Sequence, residues 1–200
     1  MKDIVKLGLI LLLVTALAGA ALSIVNNITK PRIEEQKRLV TALALTAALP
    51  DAANGVIEPD TTSKQIHFYR GYRDSSKQQL VGYAFLAMEN GYSSQIETMV
   101  GIDTTGRIVG IKILRQLETP GLGTKIEEIR HGETMPYFQR QFLNQFADQI
   151  AVDKDGGTIE SITGATISSR AVTNSIKNSF LKLQQQIGEV KKTPAAINNQ

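Results

Sequence analysis

The sequence predicts an α+β protein with one N-terminal transmembrane helix and a single domain built on an antiparallel sheet with flanking helices. Three patterns carry this prediction. The chain begins with a long uncharged apolar stretch, continues with short β-type runs separated by turn signals, and ends with apolar residues at helical spacing. Of its 200 residues, enough remain beyond the apolar stretch for one domain of ordinary size.

The apolar stretch runs from Leu7 to Ile28 without a charged residue. A helix of about 20 such residues crosses a bilayer, so residues 1–28 are predicted to be a transmembrane anchor. A cleaved signal peptide is the alternative, because the start is basic and Ala16–Ala18 resembles a cleavage site. Its apolar core, however, should be only about 7–15 residues long. Basic residues flank the stretch on both sides, so the charge rule leaves the topology open.

Residues 29–64 are expected to form a juxtamembrane helix and a lead-in to the domain. Thr29 can cap a helix that begins at Lys30 and ends before Pro50. The segment Asp51–Ser63 is rich in turn-forming residues and is predicted to be a loop.

The domain is assigned to residues 65–188 and its sheet to their first part. Short connections favour an antiparallel meander, because parallel strands need longer crossovers. The predicted strands are Gln65–Tyr72, Leu80–Met88, Ser94–Ile102 and Ile108–Leu114.

Two helices are predicted after the sheet. Pro136 can begin the first, and the last is expected over Ala171–Ile187 with a narrow apolar stripe. Residues 189–200 form a polar tail that is expected to fray. On the first helix an aromatic stripe at four-residue intervals indicates core packing; it consists of Phe138, Phe142 and Phe146.

Composition argues against several kinds of site. The net charge is +3 and the basic residues are scattered, so nucleic-acid binding is not predicted. Without cysteine the chain has no disulfide, no thiolate nucleophile and no iron–sulfur ligand of its own. His67 and His131 lie far apart without metal-ligand spacing, so no metal site is predicted.

The segment Ser161–Ser169, directly before the last helix, combines small residues with hydroxyls. Small residues let the backbone approach a ligand closely, and Ser168 or Ser169 can cap the helix. The N–H groups of a first helical turn suit a phosphate, so a phosphorylated ligand is expected here. A hydroxyl-rich helix cap that binds nothing is the alternative.

Three segments carry a family resemblance. Thr163-Gly164-Ala165-Thr166 resembles the flavinylation motif of FMN-binding domains in RnfG, a component of Rnf electron transport complexes, and in the related NqrC of sodium-pumping NADH:quinone reductase. Glu118-Thr119-Pro120-Gly121-Leu122-Gly123 resembles a loop found upstream in the same family, and Gly91-Tyr92-Ser93-Ser94 is a weaker third match. The modest chain length favours the Rnf component over its longer relative.

The resemblance implies that FMN is joined covalently to Thr166 by a phosphoester. The segment offers no His or Lys beside Thr166 to activate its hydroxyl, and the family implies a separate flavin transferase. Leu122 is expected to lie against the flavin ring, because such sites are mainly apolar. The other expected cofactor contacts are Thr163, Gly164, Ala165, Ser168, Ser169, Glu118, Thr119, Pro120, Gly121, Gly123, Tyr92 and Ser93.

The resemblance further implies a non-catalytic electron carrier within a membrane-bound, ion-translocating complex that connects ferredoxin and NAD. Its partners would be the other membrane and iron–sulfur subunits, and its domain would lie on the extracytoplasmic side of the cytoplasmic membrane. Three alternatives stay open: a stand-alone anchored or secreted FMN module, an NqrC-like part of a sodium-pumping reductase, and a structural protein of a membrane complex that binds nothing.

Overall fold

A computed structural model describes residues 2–60 and 68–188, which fall into two compact units, 1–41 and 42–200. His67 and the predicted polar tail lie outside the described residues. The helices are α1 (Lys2–Ala48), α2 (Tyr137–Arg140) and α3 (Thr166–Ile187). Short 3-10 turns occupy Pro50–Ala52, Gly123–Glu127 and Asp153–Asp155. The strands are β1 (Val56–Pro59), β2 (Phe68–Tyr72), β3 (Leu80–Asn90), β4 (Gln95–Asp103) and β5 (Ile108–Arg115).

Helix α1 forms the whole described part of the first unit, and by length and composition it is apolar enough to cross a membrane. The predicted start of a second helix at Thr29 is wrong. Thr29 lies inside α1 and its hydroxyl donates to the Val25 carbonyl at 2.9 Å instead of capping a new helix. Pro31 also lies inside the helix. A proline removes one backbone hydrogen bond, and the turns already formed before it let the helix continue.

The described strands form one antiparallel sheet in the order β1-β2-β3-β4-β5, which confirms the predicted meander. β2 to β5 coincide with the four predicted runs, apart from residues 65–67, which lie outside the described part. β1 was not predicted, because its segment was assigned to a loop. Among the described strands it pairs with β2 alone, and Pro59 at its end is tolerated on an edge strand.

The two faces of the sheet pack against different helices. On one face α3 buries Val172, Ile176 and Phe180 against residues such as Phe85 and Val100. On the other face the end of α1 and the 3-10 turn that follows it pack through alanines and leucines, namely Ala44, Leu45, Ala48, Leu49 and Ala52. Successive side chains of a strand point to opposite faces of the sheet. Because a helix covers each face, the strands are rich in apolar residues, and this made them predictable from the sequence.

Two glycines let the end of α1 reach the sheet backbone. Gly101 on β4 lies directly opposite Gly110 on β5. A Cβ atom on Gly101 would stand 1.9 Å from the Ala48 carbonyl oxygen, and one on Gly110 would stand 2.4 Å from that of Ala47. The helix therefore rests on strand backbone, and any side chain at these glycines would push it away.

The predicted aromatic helix is only one turn long. α2 ends at Arg140, and Asn144 adopts a left-handed φ of 64°. The backbone beyond α2 bonds to the start of β5 instead, with the Asn144 N–H donating to the Ile108 carbonyl at 2.8 Å. Phe138 and Phe142 are nonetheless fully buried, so the expected core role of these two residues is confirmed.

Candidate functional site

A cavity of about 560 Å³ lies where three segments of the domain meet. Its volume falls within the range of about 300–1,000 Å³ that is usual for small-molecule sites. The segments are the β3–β4 turn, the loop after β5 and the start of α3. The residues that line the cavity are Tyr92, Glu118, Thr119, Leu122, Gly123, Gly164, Ala165, Thr166, Ile167 and Ser168.

Thr166 is the first residue of α3, which starts five residues earlier than the predicted Ala171. The N-cap position is Ala165, and no side chain in the described part of the chain caps this helix. Within that part the Thr166 hydroxyl also takes part in no hydrogen bond. The cavity wall therefore presents a free hydroxyl beside the uncapped N–H groups of a helix, an arrangement that suits an anion.

Ser168 and Ser169 do not cap the helix, so that prediction is wrong. The Ser169 hydroxyl donates to the Ala165 carbonyl and accepts the Ile162 N–H, both at 3.0 Å, and Ser169 is fully buried. The Ser168 hydroxyl donates to a Glu118 carboxylate oxygen at 2.6 Å. Both serines lie within the first turn of α3, because the helix begins ahead of them, and their hydroxyls join it to other parts of the domain.

Glu118 is buried and its carboxylate accepts hydrogen bonds from the β3–β4 turn. The N–H groups of Tyr92, Ser93 and Ser94 donate at 3.0, 3.1 and 2.9 Å. Burial raises the pKa of the Glu118 carboxyl, but the hydrogen bonds from Ser168 and from these N–H groups outweigh burial. The net result is a pKa below the ordinary value, so this buried carboxylate is ionised at neutral pH.

Leu122 and Gly164 form the apolar contact between the two motif loops. Leu122 lines the cavity and remains 45% exposed. Gly164 has a left-handed φ of 79°, and a Cβ atom there would stand 3.1 Å from Leu122 Cδ2. A glycine at this position lets the Leu122 side chain lie against the loop before α3 while leaving its outer surface open to the cavity.

The cavity brings together nine of the fourteen predicted contact residues, Thr166 and Leu122 among them. Ile167 also lines it and is half exposed, although it was not predicted. Its place directly after Thr166, as an apolar residue in a hydroxyl-rich segment, was the sequence signal that could have identified it. The five predicted residues that lie outside the lining are Thr163, Ser169, Pro120, Gly121 and Ser93.

Ser93 does not line the cavity but bonds to two residues that do. Its hydroxyl lies 3.2 Å from that of Thr119, and its N–H bonds to Glu118. Both of these partners belong to the lining. Ser93 therefore joins the β3–β4 turn to the loop after β5.

The loop that leads to Thr166 is held by two acidic residues. The Asp153 carboxylate accepts the Ser161 N–H at 3.0 Å, and hydrogen bonds from Ser161 lower the pKa of Asp153 to about 2. Asp155 forms a two-pronged ion pair with Arg170, with both nitrogen–oxygen distances at 2.7 Å. The loop is therefore tied both to itself and to the first turns of α3, which fixes the approach to the helix start.

The residues of the cavity fit FMN by their chemistry. The uncapped start of α3 offers N–H donors for a phosphate. Tyr92, Leu122 and Ile167 are exposed side chains with apolar surface that a flat ring could cover. Within the described residues, no group of three or more His, Cys, Asp or Glu side chains could hold a metal ion.

Two family models match the chain. That of the FMN-binding domain matches residues 91–180, and that of the RnfG N-terminal region matches residues 1–47. The G subunit of the ion-translocating oxidoreductase complex of Shewanella amazonensis is 29% identical, covering 99% of this chain and 96% of that protein. The G subunit of the Na+-translocating ferredoxin:NAD+ oxidoreductase complex of Acetobacterium woodii is 32% identical, covering 90% of this chain and 91% of that protein.

Among solved structures, the C subunit of the Na+-translocating NADH-quinone reductase of Parabacteroides distasonis gives a TM-score of 0.49 at 21% identity, covering 62% of this chain and 63% of that one. The sequence relatives extend over nearly the whole chain, including the apolar helix and the cavity segments. The chain therefore belongs to the RnfG family of ion-translocating oxidoreductase complexes, as a membrane-anchored protein with an FMN-binding domain.

Proposed function

We propose that Thr166 carries FMN through a phosphoester bond and that the chain is an electron carrier within an ion-translocating Rnf-type complex. One observation carries the proposal: the Thr166 hydroxyl, without a hydrogen bond in the described part of the chain, lines the cavity at the uncapped start of α3. A phosphate joined to that oxygen would meet the N–H groups of the first helical turn.

The attachment reaction needs a second protein. The Thr166 oxygen forms a bond to the phosphorus of the FMN half of FAD, AMP leaves, and the hydroxyl proton is released. No His or Lys stands beside Thr166 in the sequence to take that proton. We therefore assign the base to a flavin transferase, which acts on Thr166 as the acceptor.

The residues of the chain divide the work of holding the cofactor. The start of α3 would bind the phosphate, and Leu122, Tyr92 and Ile167 would offer apolar surface to the ring. The bound flavin supplies the electron-transfer chemistry, and the protein supplies its position and surroundings. A tether at the phosphate leaves the ring itself chemically unchanged.

The family suggests the wider assembly. The Acetobacterium woodii relative belongs to a Na+-translocating ferredoxin:NAD+ oxidoreductase complex, and we infer the same type of complex for this chain. The chain has no cysteine, so iron–sulfur centres must belong to other subunits. We place the domain on the extracytoplasmic side of the cytoplasmic membrane. Protease cleavage of the domain in spheroplasts, but not in sealed inverted vesicles, tests that orientation, and the reverse pattern would contradict it.

The covalent bond is tested with two matched variants, Thr166→Val and Thr158→Val. The chain is co-expressed with a flavin transferase, denatured, and examined by intact mass and in-gel flavin fluorescence. The native chain and Thr158→Val should gain the mass of one FMN less one water, because Thr158 is exposed and lies outside the cavity lining. Thr166→Val should gain nothing. An adduct that survives in Thr166→Val, or none in the native chain, would contradict the assignment.

A second experiment separates the complex from a stand-alone module. A tagged native chain, solubilised in mild detergent, should bring down other membrane and iron–sulfur subunits, which are recognised by mass spectrometry and by their iron content. A flavinylated chain that purifies alone under the same conditions would favour the stand-alone module.

A further inference from the structure

The buried carboxylate of Glu118 joins all three segments of the cavity. It belongs to the loop after β5, its oxygens accept N–H groups from the β3–β4 turn, and it accepts the Ser168 hydroxyl from α3. These partners lie 24 to 50 positions away along the chain. A side chain that bonds to three separate segments determines their relative positions.

The carboxylate has no acceptor position left for a ligand. One oxygen accepts the N–H groups of Ser93 and Ser94 and the Ser94 hydroxyl, and the other accepts the Tyr92 N–H and the Ser168 hydroxyl. A carboxylate offers about four lone-pair positions, and these donors fill them. Glu118 therefore acts on the cavity through its protein partners rather than by a hydrogen bond to a ligand.

Two glycines make a close-fitting slot for this side chain. A Cβ atom on Gly91 would stand 2.7 Å from a Glu118 carboxylate oxygen. A Cβ atom on Gly123 would stand 2.6 Å from the Glu118 Cβ and 2.8 Å from the Ser168 hydroxyl oxygen. The side chain is thus closely packed between Gly91 and Gly123, which supports a defined position rather than a mobile one.

We infer that Glu118 is a positioning residue that assembles the flavin site before any flavin arrives. The inference about the flavin rests on the proposed function, whereas the assembly of the three segments is a property of the protein alone. Attachment and seating of the cofactor then depend on different residues. Thr166 supplies the covalent bond, and Glu118 holds the surfaces against which the ring rests.

Glu118→Gln is the most direct test, because the side chain keeps its shape and loses one acceptor oxygen. The Ser168 hydroxyl can turn and accept a hydrogen bond from the new NH2 group, but a backbone N–H cannot. In either orientation of the amide, at least one N–H of Tyr92–Ser94 therefore faces a donor. The matched control is Glu128→Gln, because Glu128 is exposed and lies outside the cavity lining.

The first readout is hydrogen exchange of the full chain without flavin in detergent. In Glu118→Gln, amides of residues 92–94 and of the loop 118–124 should exchange roughly 10- to 100-fold faster, while those of β1 and β2 stay as in the native chain. Glu128→Gln should match the native chain throughout. An equal acceleration everywhere, or none at residues 92–94, would overturn the inference. Ser168→Ala, which removes one hydrogen bond only, serves if Glu118→Gln does not fold and should accelerate the same peptides.

The second readout is the fluorescence anisotropy of the attached flavin in native protein. Glu118→Gln should still receive FMN on Thr166, but the ring should tumble more freely and its anisotropy should fall toward that of a denatured flavinylated chain. An anisotropy equal to the native value would overturn the inference. Because the exchange experiment contains no flavin, it gives its result even if Thr166 is never flavinylated, and the two hypotheses fail separately.

Discussion

Gly101→Ala tests how closely the end of α1 approaches the sheet. The added Cβ would stand 1.9 Å from the Ala48 carbonyl oxygen, whereas ordinary contacts begin at 3.4 Å, so the helix end must retreat by about 1.5 Å (3.4 − 1.9). Neither partner is the flexible end of a side chain, so neither can turn aside. Overpacking of this kind costs about 1–3 kcal/mol, and we expect the upper end because the clash is with backbone.

The assay is thermal unfolding of the full chain in detergent, followed by near-ultraviolet circular dichroism. The signal reports on the domain, because every tyrosine lies beyond residue 41 and the chain has no tryptophan. A loss of about 3 kcal/mol corresponds to a fall in Tm of roughly 6–12 °C for a chain of this size. The control is Gly19→Ala in α1, where an added Cβ meets nothing within 4 Å and no fall is expected. A Tm for Gly101→Ala within about 2 °C of the native value would refute the close approach.

Three further predictions use urea denaturation of the same preparation. Phe142→Ala should lower the free energy of unfolding by about 3–5 kcal/mol, because Phe142 is fully buried. Phe146→Ala should lower it less, because Phe146 is partly exposed. Equal losses would contradict this prediction. Gly164→Ala should lower the free energy of unfolding by about 1–2 kcal/mol through backbone strain, and further because its Cβ would stand 3.1 Å from Leu122 Cδ2. Gly156→Ala has the same φ of 79° but meets no atom within 4 Å, so it should lose less. A larger loss at Gly156 would contradict this prediction. The Glu118 pKa is lowered on folding, so the ionised carboxylate should add to the free energy of unfolding. This contribution should be complete above about pH 5, decline as pH falls below about 4.3 and vanish below the folded-state pKa. A stability difference between the native chain and Glu118→Gln that grows as the pH falls would contradict this reasoning.

The strands were predictable where the sheet has one helix on each face. In β3 and β4, residues such as Phe85 and Val100 face α3 while Ala84 and Met99 face the end of α1, and turn residues mark the strand ends. β1 lacked these signals, because it is a four-residue edge strand with no fully buried residue. Its pairing with β2 is a tertiary contact that local sequence does not record.

The aromatic helix shows the opposite error. Phe138 and Phe142 follow helical spacing and are buried, yet the chain leaves the helix after Arg140. Asn144 tolerates a left-handed backbone, and hydrogen bonds to the start of β5 replace those of further helical turns. Periodicity therefore identified the core residues but could not show that strand pairing would compete with the helix.

At the site, residues of the sequence motifs line the cavity, but the hydrogen bonds around it could not be predicted from the sequence. A glutamate in a turn is usually a solvated charge, and nothing local indicates donors that lie 24 to 50 positions away. The hydroxyls of Ser168 and Ser169 suggested a helix cap, because capping is their commonest local role. Because α3 starts earlier, the Ser168 hydroxyl bonds instead to Glu118, and the Ser169 hydroxyl bonds to Ala165 and Ile162 directly before the helix.

That arrangement leaves the start of α3 available to an anion. A carboxylate near a helix start would usually bond to its free N–H groups, but Glu118 takes the Ser168 hydroxyl and the N–H groups of the β3–β4 turn instead. Ala165 at the N-cap has no side-chain oxygen to compete. The start of α3 thus lacks the side-chain cap that a helix usually has, and a phosphate on Thr166 would bond to the N–H groups left free there. Departures of this kind from local stability rules are expected at functional sites.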